Sequence, residues 1–482
     1  MELRQLVDSV LLPGFLGTTP PDWVLRRVAE GLGGVVLFAR NVTDDEQVAA
    51  LTARLRAERP EVVVGIDEEG GDVTRLDAAT GSLVPGSLAL GVVDDVGLTS
   101  AVASALGGRL AACGVTVDLA PSADLTLTPE DPIIGVRAFG SDPHRAAAHV
   151  AAYVSGMQSA GIAACAKHFP GHGASTVDSH HTLPVLPRTE QELWETELVP
   201  FRAAVDAGVR SVMSGHLVVP EWGPEPATTN RRALTEVLRG ELGFTGAVIT
   251  DALEMGAVAG TAGISDGAVQ ALLAGADVLC VGGELADAEI VDRLAEALVA
   301  AVRAGRLPEE RLAEAAERAR ALGGPVTPYG TWDPALGMLA ARRALRVTGS
   351  LDLTAPPLVV DVEVAPTIAA GPVPWGLGPH LSELVPGTEV LRTTGRGTAE
   401  VLAAARGRPV VVVTRDAQRH PEARDLVTDL AKIGLDLVHV ETGVPGPDLG
   451  SAARIDTHGG SYVCLRAAAE LLAAHAAGED SR

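Results

Sequence analysis

Aromatic residues and cysteines are scarce in this chain. Phe, Trp and Tyr together make up 3% of its 482 residues. This scarcity, with Ala, Val, Leu and Gly abundant, is typical of an α/β protein whose buried strands are short aliphatic runs. The cysteines form no CxxC pair and lie far apart in apolar surroundings, at Cys113, Cys165, Cys280 and Cys464. They predict reduced core thiols and therefore a reducing compartment.

Long apolar runs and an excess of basic residues are also missing. No run approaches the roughly 20 apolar residues that a membrane span needs, and Asp8 and Pro13 break the N-terminal apolar run, unlike a signal peptide. The 38 basic residues stand against 62 acidic ones, a formal charge of -24. This balance argues against the clustered Lys and Arg of a nucleic-acid surface. We expect a cytoplasmic protein with neither a membrane nor a nucleic-acid partner.

Apolar runs of strand length recur through the first two thirds of the chain. Eight of them occur, at residues 9–15, 34–39, 62–67, 115–121, 162–169, 211–215, 247–252 and 278–283. Helical periodicity separates most of these runs, so the pattern alternates strand and helix. Eight such units predict a parallel (β/α)8 TIM-type barrel, and a doubly wound open sheet is the alternative.

A Gly/Pro-rich connector follows the predicted barrel. The chain length already favours two domains, because single cores stop growing well below it. Beyond the connector, three further apolar strand runs alternate with helical segments. We predict a catalytic barrel domain over residues 1–325, a linker over 326–349 and a smaller α/β sandwich domain over 350–482. Scaffold or interface duty is the favoured interpretation of the second domain, since it holds no dense polar cluster.

Polar residues stand where the predicted barrel strands end, which is where barrels of this type carry their active sites. The third run leads into Asp67, Glu68 and Glu69, the fifth ends in Lys167 and His168, and the seventh is followed by Asp251. Alone, Asp251 is explained as well by a helix N-cap as by a catalytic group. Because several strand ends bring charged groups to one mouth, the pattern favours catalysis.

Four histidines lie in the loop KHFPGHGASTVDSHHTLP, residues 167–184. A metal site is one interpretation, although the loop has neither HExxH nor a cysteine ligand. A phosphate cradle is another, and PGHGAST matches it weakly. His181 reads as a bystander. We expect Gly171 and Gly173 to permit a mobile loop that closes over a substrate.

The segment Asp178-Ser179-His180 indicates proton transfer. Residues two apart on an extended segment point to the same side, so the carboxylate can hold one imidazole nitrogen and leave the other to react. Such a pairing raises the pKa of an imidazole. His180 is therefore a candidate proton donor near neutral pH.

The order of these motifs resembles glycoside hydrolase family 3, in particular its bacterial β-N-acetylglucosaminidase branch. GIDEEGGDVTRL, DLAPSADL, GVRAFGSDP and LRGELGFTGAVITDALEM fall in the family's order within residues 1–325, and KHFPGHG followed by DSH is the branch-specific part. The second domain resembles, more weakly, the α/β sandwich that many members carry. Two departures are Asp72 in EGGDV and the PATTN turn at residues 226–230.

The resemblance implies a retaining exo-β-N-acetylglucosaminidase that acts on muropeptide or chitin-derived fragments. Asp251 would be the nucleophile, His180 the acid and base, and Asp178 its orienting partner. A GlcNAc-containing saccharide would be bound by Asp67, Arg75, Arg137, Lys167 and His168. The resemblance implies no cofactor and no metal. For Arg75, an ion pair with Glu68 or Glu69 is the structural alternative.

Other functions stay open at this point. A phosphorylase would use the same Asp251 and His180 with phosphate in place of water. A metal-dependent barrel hydrolase would lose activity with a chelator, and a silent sugar-binding protein would show no turnover.

Overall fold

The computed structural model describes residues 2–129, 131–175, 183–255, 263–283, 285–327, 329–351, 353–372, 374–395 and 397–476. The chain forms two compact units. The first unit comprises Met1–Glu69, Val96–Ile134 and Ala138–Asp333, and the second comprises Gly70–Asp95, Gly135–Arg137 and Pro334–Arg482. No helix among the described residues is long and apolar enough to cross a membrane.

The strands of the first unit are parallel, as their aliphatic sequences predict. Each predicted run contains one of them: β1 Leu11–Pro13, β2 Gly34–Leu37, β3 Val63–Ile66, β4 Val117–Asp118, β5 Ala163–Phe169, β6 Ser211–Ser214, β7 Ala247–Thr250 and β8 Leu279–Val281. Strands β2 to β7 form one sheet in sequence order, and β1 pairs with β8. A parallel bridge between Ile249 and Val278 links β7 to the start of β8. The α/β class with a parallel sheet is confirmed.

Helices connect these strands. They are α1 Leu3–Asp8, α2 Asp22–Glu30, α3 Asp45–Glu58, α5 Val96–Ala112, α6 Pro143–Ser159, α7 Glu190–Glu195, α8 Leu198–Asp206, the π-helical α9 Arg232–Glu241, α10 Ile264–Ala274, α11 Ala288–Arg303 and α12 Glu309–Arg320; α4 Ser87–Val93 belongs to the second unit. Aspartates begin several of them: Asp44, Asp142 and Asp287 each accept backbone N–H groups of the first turn. These carboxylates satisfy amides that have no partner inside the helix.

A buried charge cluster lies at the amino-terminal ends of the first unit's strands. Asp277, just before β8, is fully buried and accepts the backbone N–H of Val248 at 2.9 Å. The guanidinium groups of Arg311 and Arg318 reach its Oδ1 at 2.8 and 3.2 Å, and Arg239 pairs with its Oδ2 at 2.5 Å. Because the carboxylate is compensated from three sides, the cluster ties α9 and α12 to the start of β8.

The second unit is built on one six-stranded sheet. Its strands are β9 Arg346–Gly349, β10 Leu358–Val362, β11 Glu389–Thr393, β12 Val410–Thr414, β13 Leu437–Glu441 and β14 Ala453–Asp456, and its further helices are α13 Pro334–Ala344, α14 Gly378–Leu384, α15 Thr398–Ala405, α16 Pro421–Lys432 and α17 Tyr462–Ala476. The order is β11-β10-β12-β13-β14-β9, with β9 alone antiparallel to its neighbour.

Helices cover both faces of this sheet. Val359 packs with α14 and α17 on one face, whereas Val360 packs with α15 and α16 on the other. This alternation follows from the two-residue period of a strand.

Part of the predicted linker is ordered in the second unit. Residues 334–349 form α13 and β9, and β9 pairs with β14. The alanines of α13 (Ala340, Ala341 and Ala344) are buried, so this short amphipathic segment is stabilised by packing. The segment 70–95 also packs with the second unit, although it lies between β3 and α5 in the sequence. Such an assignment depends on contacts that the local sequence does not show.

Candidate active site

The carboxyl ends of the first unit's strands carry the candidate polar residues. Ile66 pairs with Asp118 across β3 and β4, and Asp118 pairs with Ala164 of β5. On the other side, Ser214 of β6 pairs with Thr250 of β7. In parallel strands the residues that follow these pairs share one edge of the sheet. Asp67, the Lys167-His168 pair and Asp251 therefore stand at the same edge, as predicted from the sequence.

Lys167 joins two carboxylates of the β3 end. Its Nζ lies 2.6 Å from Oδ1 of Asp67 and 2.7 Å from Oε1 of Glu69. The side chains of Lys167 and Glu69 are 2% and 4% exposed, while that of Asp67 is 18% exposed. Charge-assisted bonds of this length fix the positions of all three groups. Asp67 is the most exposed member of the trio, and its sugar-binding role stays a prediction.

A buried acid lies in the same group of residues. Asp118 is fully buried at the end of β4 and accepts the backbone N–H of Glu68 at 3.0 Å. Burial raises the pKa of Asp118 well above its usual value, against the opposing effect of this hydrogen bond. Its carboxyl group therefore retains a proton at a pH where an exposed aspartate has lost it.

Asp124 organises His168 and the start of the histidine loop. Its Oδ2 lies 2.7 Å from Nδ1 of His168, and its Oδ1 accepts the backbone N–H groups of His168 and His172 at 3.1 and 2.7 Å. Burial alone would raise the pKa of Asp124, but His168 and these hydrogen bonds lower it overall. The ionised carboxylate holds the proton of His168 on Nδ1, which directs Nε2 away from Asp124.

The carboxylate of Asp251 lies directly after β7 and is half-buried. Its Oδ1 accepts the N–H of Ala252 at 2.8 Å, and its own N–H donates to the carbonyl of Ser214 at 3.1 Å. In the described part of the chain, the next helix begins only at Ile264. The helix-cap interpretation of Asp251 therefore has no helix to support it there.

His216 holds the backbone beside Asp251. Its Nε2 donates to the carbonyl of Ala252 over 3.0 Å, and its Nδ1 accepts from the hydroxyl of Thr228 over 2.7 Å. His216 is fully buried at the end of β6. His216 therefore fixes the backbone next to Asp251. Its partners come from two other parts of the chain, at Thr228 and Ala252.

The buried thiol of Cys280 in β8 is affected electrostatically by three carboxylates. Burial raises the pKa of Cys280 well above its usual value, and Glu254, Asp251 and Asp67 raise it further, in that order. Asp67 follows β3, Asp251 and Glu254 follow β7, and the thiol lies in β8.

Glu254 was not singled out in the sequence. Its Oε1 accepts the N–H groups of Gly282 and Gly283 at 2.8 and 2.5 Å. Arg40 donates to the carbonyl of Gly283 at 2.8 Å and lies over the ring of Phe38 at 4.4 Å. Glu254 therefore fixes the backbone after β8, and its spacing of three residues from Asp251 was the available signal.

The glycines of the histidine loop have a packing role. A Cβ on Gly173 would lie 1.5 Å from the carbonyl oxygen of Leu125, and one on Gly171 would lie 2.9 Å from the side chain of Glu197. Both positions thus require glycine for close approach. Beyond Ser175, the candidate residues Asp178, His180 and His181 lie outside the described residues. Their roles stay predictions.

Arg75 and Arg137 belong to the second unit, and both are largely buried. Nη2 of Arg75 donates to the carbonyl of Ala369 at 2.9 Å. Asp72, the departure noted in the sequence, accepts the N–H of Gly460 at 2.8 Å and pairs with Arg415 at 2.8 Å. Asp72 therefore anchors the segment 70–95 to the C-terminal sheet. The predicted sugar-binding roles of Arg75 and Arg137 stay predictions.

No group of three or more His, Cys, Asp or Glu side chains is arranged to hold a metal ion in the part of the chain that the structure describes. That part excludes Asp178, His180 and His181.

The fold and this strand-end cluster agree with the comparison to known families. The model of the glycosyl hydrolase family 3 N-terminal domain matches residues 25–322. The chain therefore belongs to glycosyl hydrolase family 3 and is a glycoside hydrolase.

Individual relatives extend the comparison. A protein from Chromobacterium violaceum named Beta-hexosaminidase is 37% identical over 295 residues, covering 60% of this chain and 79% of the relative. A Beta-hexosaminidase of Pseudomonas aeruginosa is 36% identical over 323 residues, covering 66% of this chain and 92% of the relative. The structure of a family 3 β-N-acetylglucosaminidase from Paenibacillus sp. str. FPU-7 matches with a TM-score of 0.88 at 31% identity. That match covers 98% of this chain and 97% of the other.

Proposed function

We propose that this glycoside hydrolase is a retaining exo-β-N-acetylglucosaminidase, a β-N-acetylhexosaminidase, that removes terminal β-linked GlcNAc from muropeptide or chitin-derived fragments. The relatives named Beta-hexosaminidase, at 36–37% identity, support the hexosaminidase activity. The Paenibacillus β-N-acetylglucosaminidase supports the choice of GlcNAc, since it matches nearly the whole chain.

The proposed fold of the first unit is a closed (β/α)8 barrel. The order β2 to β7, the β1–β8 pair and the bridge from β7 to β8 support it. In such a barrel all eight strand ends face one mouth, where active sites lie.

In the proposed mechanism Asp251 attacks the anomeric carbon while His180 donates its proton to the glycosidic oxygen. The bond to the leaving group breaks, and an ester joins the sugar to the carboxylate of Asp251. Neutral His180 then takes a proton from water, whose oxygen attacks the anomeric carbon and releases Asp251 and β-GlcNAc. Asp178 orients His180 throughout. Because the imidazole becomes neutral on donating, an anionic muramic acid derivative meets less repulsion than a second carboxylate would create.

The common strand edge of Asp251 and Asp67 is the observation that carries this proposal. Phe169 of β5, two residues after Lys167, pairs with Ser214 of β6, whose carbonyl accepts the N–H of Asp251 at 3.1 Å. Asp67 is held by Lys167 at 2.6 Å, in position to accept hydrogen bonds from sugar hydroxyls. An attacking carboxylate beside a fixed hydroxyl acceptor is what a glycosidase of this kind requires.

A trapping experiment tests the nucleophile. The enzyme is incubated with a fluorinated N-acetylglucosaminyl donor that slows breakdown of the ester, and the labelled peptide is mapped by mass spectrometry. We expect the label on Asp251, and NMR should show the β-anomer as the first product. A label on another residue, or an initial α-anomer, would overturn the mechanism.

A turnover assay distinguishes the proposed hydrolase from a phosphorylase and from a metal-dependent enzyme. Turnover of p-nitrophenyl β-GlcNAc is measured with water alone, with phosphate and with a chelator. Hydrolysis independent of both additions supports the proposal. Strong acceleration by phosphate would make the enzyme a phosphorylase, and loss with chelator would make it metal-dependent.

A further inference from the structure

The second unit contains an open pocket with aromatic walls. Its cavity volume is about 540 Å³. We call it the aromatic pocket and define it by the residues that matter here: Asp361, Glu363, Trp375, His380, Arg392 and Tyr462. All of them belong to the second unit. A pocket of this size accommodates a small ligand rather than a protein segment.

The aromatic pocket lies at the point where the strand order of the sheet reverses. Strand β10 is hydrogen-bonded to β11 on one side and to β12 on the other. The chain therefore places β11 on one side of β10 and the next strand, β12, on the opposite side. Asp361 and Glu363 stand at the carboxyl end of β10, and Arg392 stands near the end of β11. Open α/β sheets bind ligands at this kind of switch point, outside the carboxyl ends of the strands.

The wall that carries Trp375 is fixed to the sheet. Asp361, which is 3% exposed, accepts the N–H groups of Leu377 and Gly378 at 3.0 and 3.3 Å. A Cβ on Gly376 would lie 2.7 Å from Oδ2 of Asp361, so this close approach requires glycine. Trp375 is therefore held beside the strand end by its neighbours.

The other wall is a pair of rings. His380 and Tyr462 lie edge to face, with centroids 5.0 Å apart and an interplanar angle of 74°. Burial and the nearby Arg466 lower the pKa of His380, which keeps its imidazole neutral. Aromatic faces of this kind bury the C–H surface of a flat ligand, and their polar atoms remain available for hydrogen bonds.

The polar groups of the aromatic pocket favour an uncharged ligand. Glu363 and Arg392 lie 4.0 Å apart with side chains 51% and 61% exposed, so one offers acceptors and the other donors. An anion would meet the carboxylate of Glu363, and a cation would meet the guanidinium of Arg392. Alternating apolar C–H faces and hydroxyl groups fit these walls and this pair.

We propose that the aromatic pocket is a second saccharide site, which binds a pyranose ring of a neutral saccharide between Trp375 and the His380–Tyr462 pair. Glu363 accepts from ring hydroxyls and Arg392 donates to ring oxygens. The proposal stands independently of the reaction proposed for the first unit, since it requires binding only.

Photolabelling of the full chain tests this site. The probe is an S-linked chitobiose that carries a diazirine, because the sulfur linkage resists hydrolysis. After irradiation, peptides are mapped by mass spectrometry. We expect adducts on the peptides that contain Trp375 or Tyr462, reduced at least about five-fold in Trp375→Ala. Adducts confined to first-unit peptides would overturn the proposal.

Controls separate a ligand site from general damage. Trp194 lies in the first unit beside Arg202, and Trp194→Ala should leave the second-unit adducts unchanged. Arg392→Ala keeps all of the rings and should weaken labelling as well, which covers the case in which Trp375→Ala fails to fold. Unlabelled S-linked chitobiose and cellobiose are the competitors: suppression by S-linked chitobiose alone assigns a GlcNAc saccharide, and suppression by both assigns neutral pyranoses in general. Failure of both to compete, or stronger competition by N-acetylmuramic acid, contradicts the proposal.

Discussion

Carboxylates stand at strand ends in both units, but their partners differ. In the first unit, Asp67 and Glu69 share the ammonium group of Lys167, which comes from a different strand. In the second unit, Glu441 at the end of β13 accepts the N–H groups of Asp416, Ala417 and Gly443 at 2.8, 3.0 and 2.7 Å. A strand-end acid can thus bind side chains across the sheet or hold the loops beside it.

The difference indicates how to separate reactive acids from structural ones. Glu441 directs both oxygens at amides, and it shapes the β12 and β13 ends. Asp251 accepts the N–H of Ala252 and stands at the strand edge that also carries Asp67 and Lys167. We expect substitutions at the two positions to affect different properties of the enzyme.

The largest effect is expected from Asp251→Asn. The amide cannot form the ester with the sugar, so kcat for p-nitrophenyl β-GlcNAc should fall at least about a thousand-fold. Steady-state kinetics and circular dichroism of the purified variant measure this. The matched control is Glu441→Gln, which should leave kcat within about two-fold in folded protein. Equal losses in the two variants would break the comparison between the units.

Lys167→Met should have the next largest effect. It leaves Asp67 and Glu69 without their shared cation, so the carboxylate of Asp67 moves or takes up a proton. We expect kcat/KM to fall about a hundred-fold. Lys432→Met, which removes an exposed lysine paired only with Asp429 at 3.3 Å among the described contacts, is the control. Unchanged kcat/KM in Lys167→Met would make the Lys167 trio purely structural.

Asp277→Asn tests the other end of the first unit's strands. It should lower the free energy of unfolding by about 3–5 kcal/mol, because Arg239, Arg311 and Arg318 lose their buried counter-charge. Activity per folded molecule should stay near that of the unaltered enzyme, since the cluster lies away from the strand ends that carry Asp251. Urea unfolding and active-site titration give the two quantities. Loss of activity in a fully folded variant would contradict the assignment of stability to the Asp277 end of the strands and of activity to the Asp251 end.

The smallest effect concerns acid sensitivity of the second unit. Burial lowers the pKa of His439 in β13 to about 3, and its Nε2 lies 2.7 Å from the hydroxyl of Thr414. As the pH falls from the ordinary value of 6.5 towards 3, the unfolded chain gains a proton that the folded chain refuses, so stability falls in this window. His439→Gln should flatten that dependence.

Hydrogen exchange of the β12 and β13 peptides at pH 7 and pH 5 measures the effect. Acidification should speed exchange in the unaltered chain more than in His439→Gln, beyond the intrinsic pH dependence of exchange. Equal responses would mean that His439 does not contribute to the acid sensitivity.

The sequence predicted much of the first unit because its signals are local. Each of the eight apolar runs contains a strand, and Asp67, Lys167 and Asp251 stand at the predicted strand ends. Glu69 and Asp124 were not assigned roles, although both lie close to strand ends. Their partners, Lys167 and His168, are distant in the sequence, and no local pattern reports such a pairing. The Asp178–His180 pair lies outside the described residues and stays a prediction.

The amino-acid sequence by itself determined the strands, their parallel arrangement and the edge at which the acids stand, because alternating apolar and helical segments permit few other folds. Tertiary structure alone decided which acid meets which cation, and it assigned residues 70–95 to the second unit. Those outcomes depend on how side chains from distant segments fill shared space and satisfy buried charge. That selection is made in the packed molecule, where an unpaired charge costs several kcal/mol.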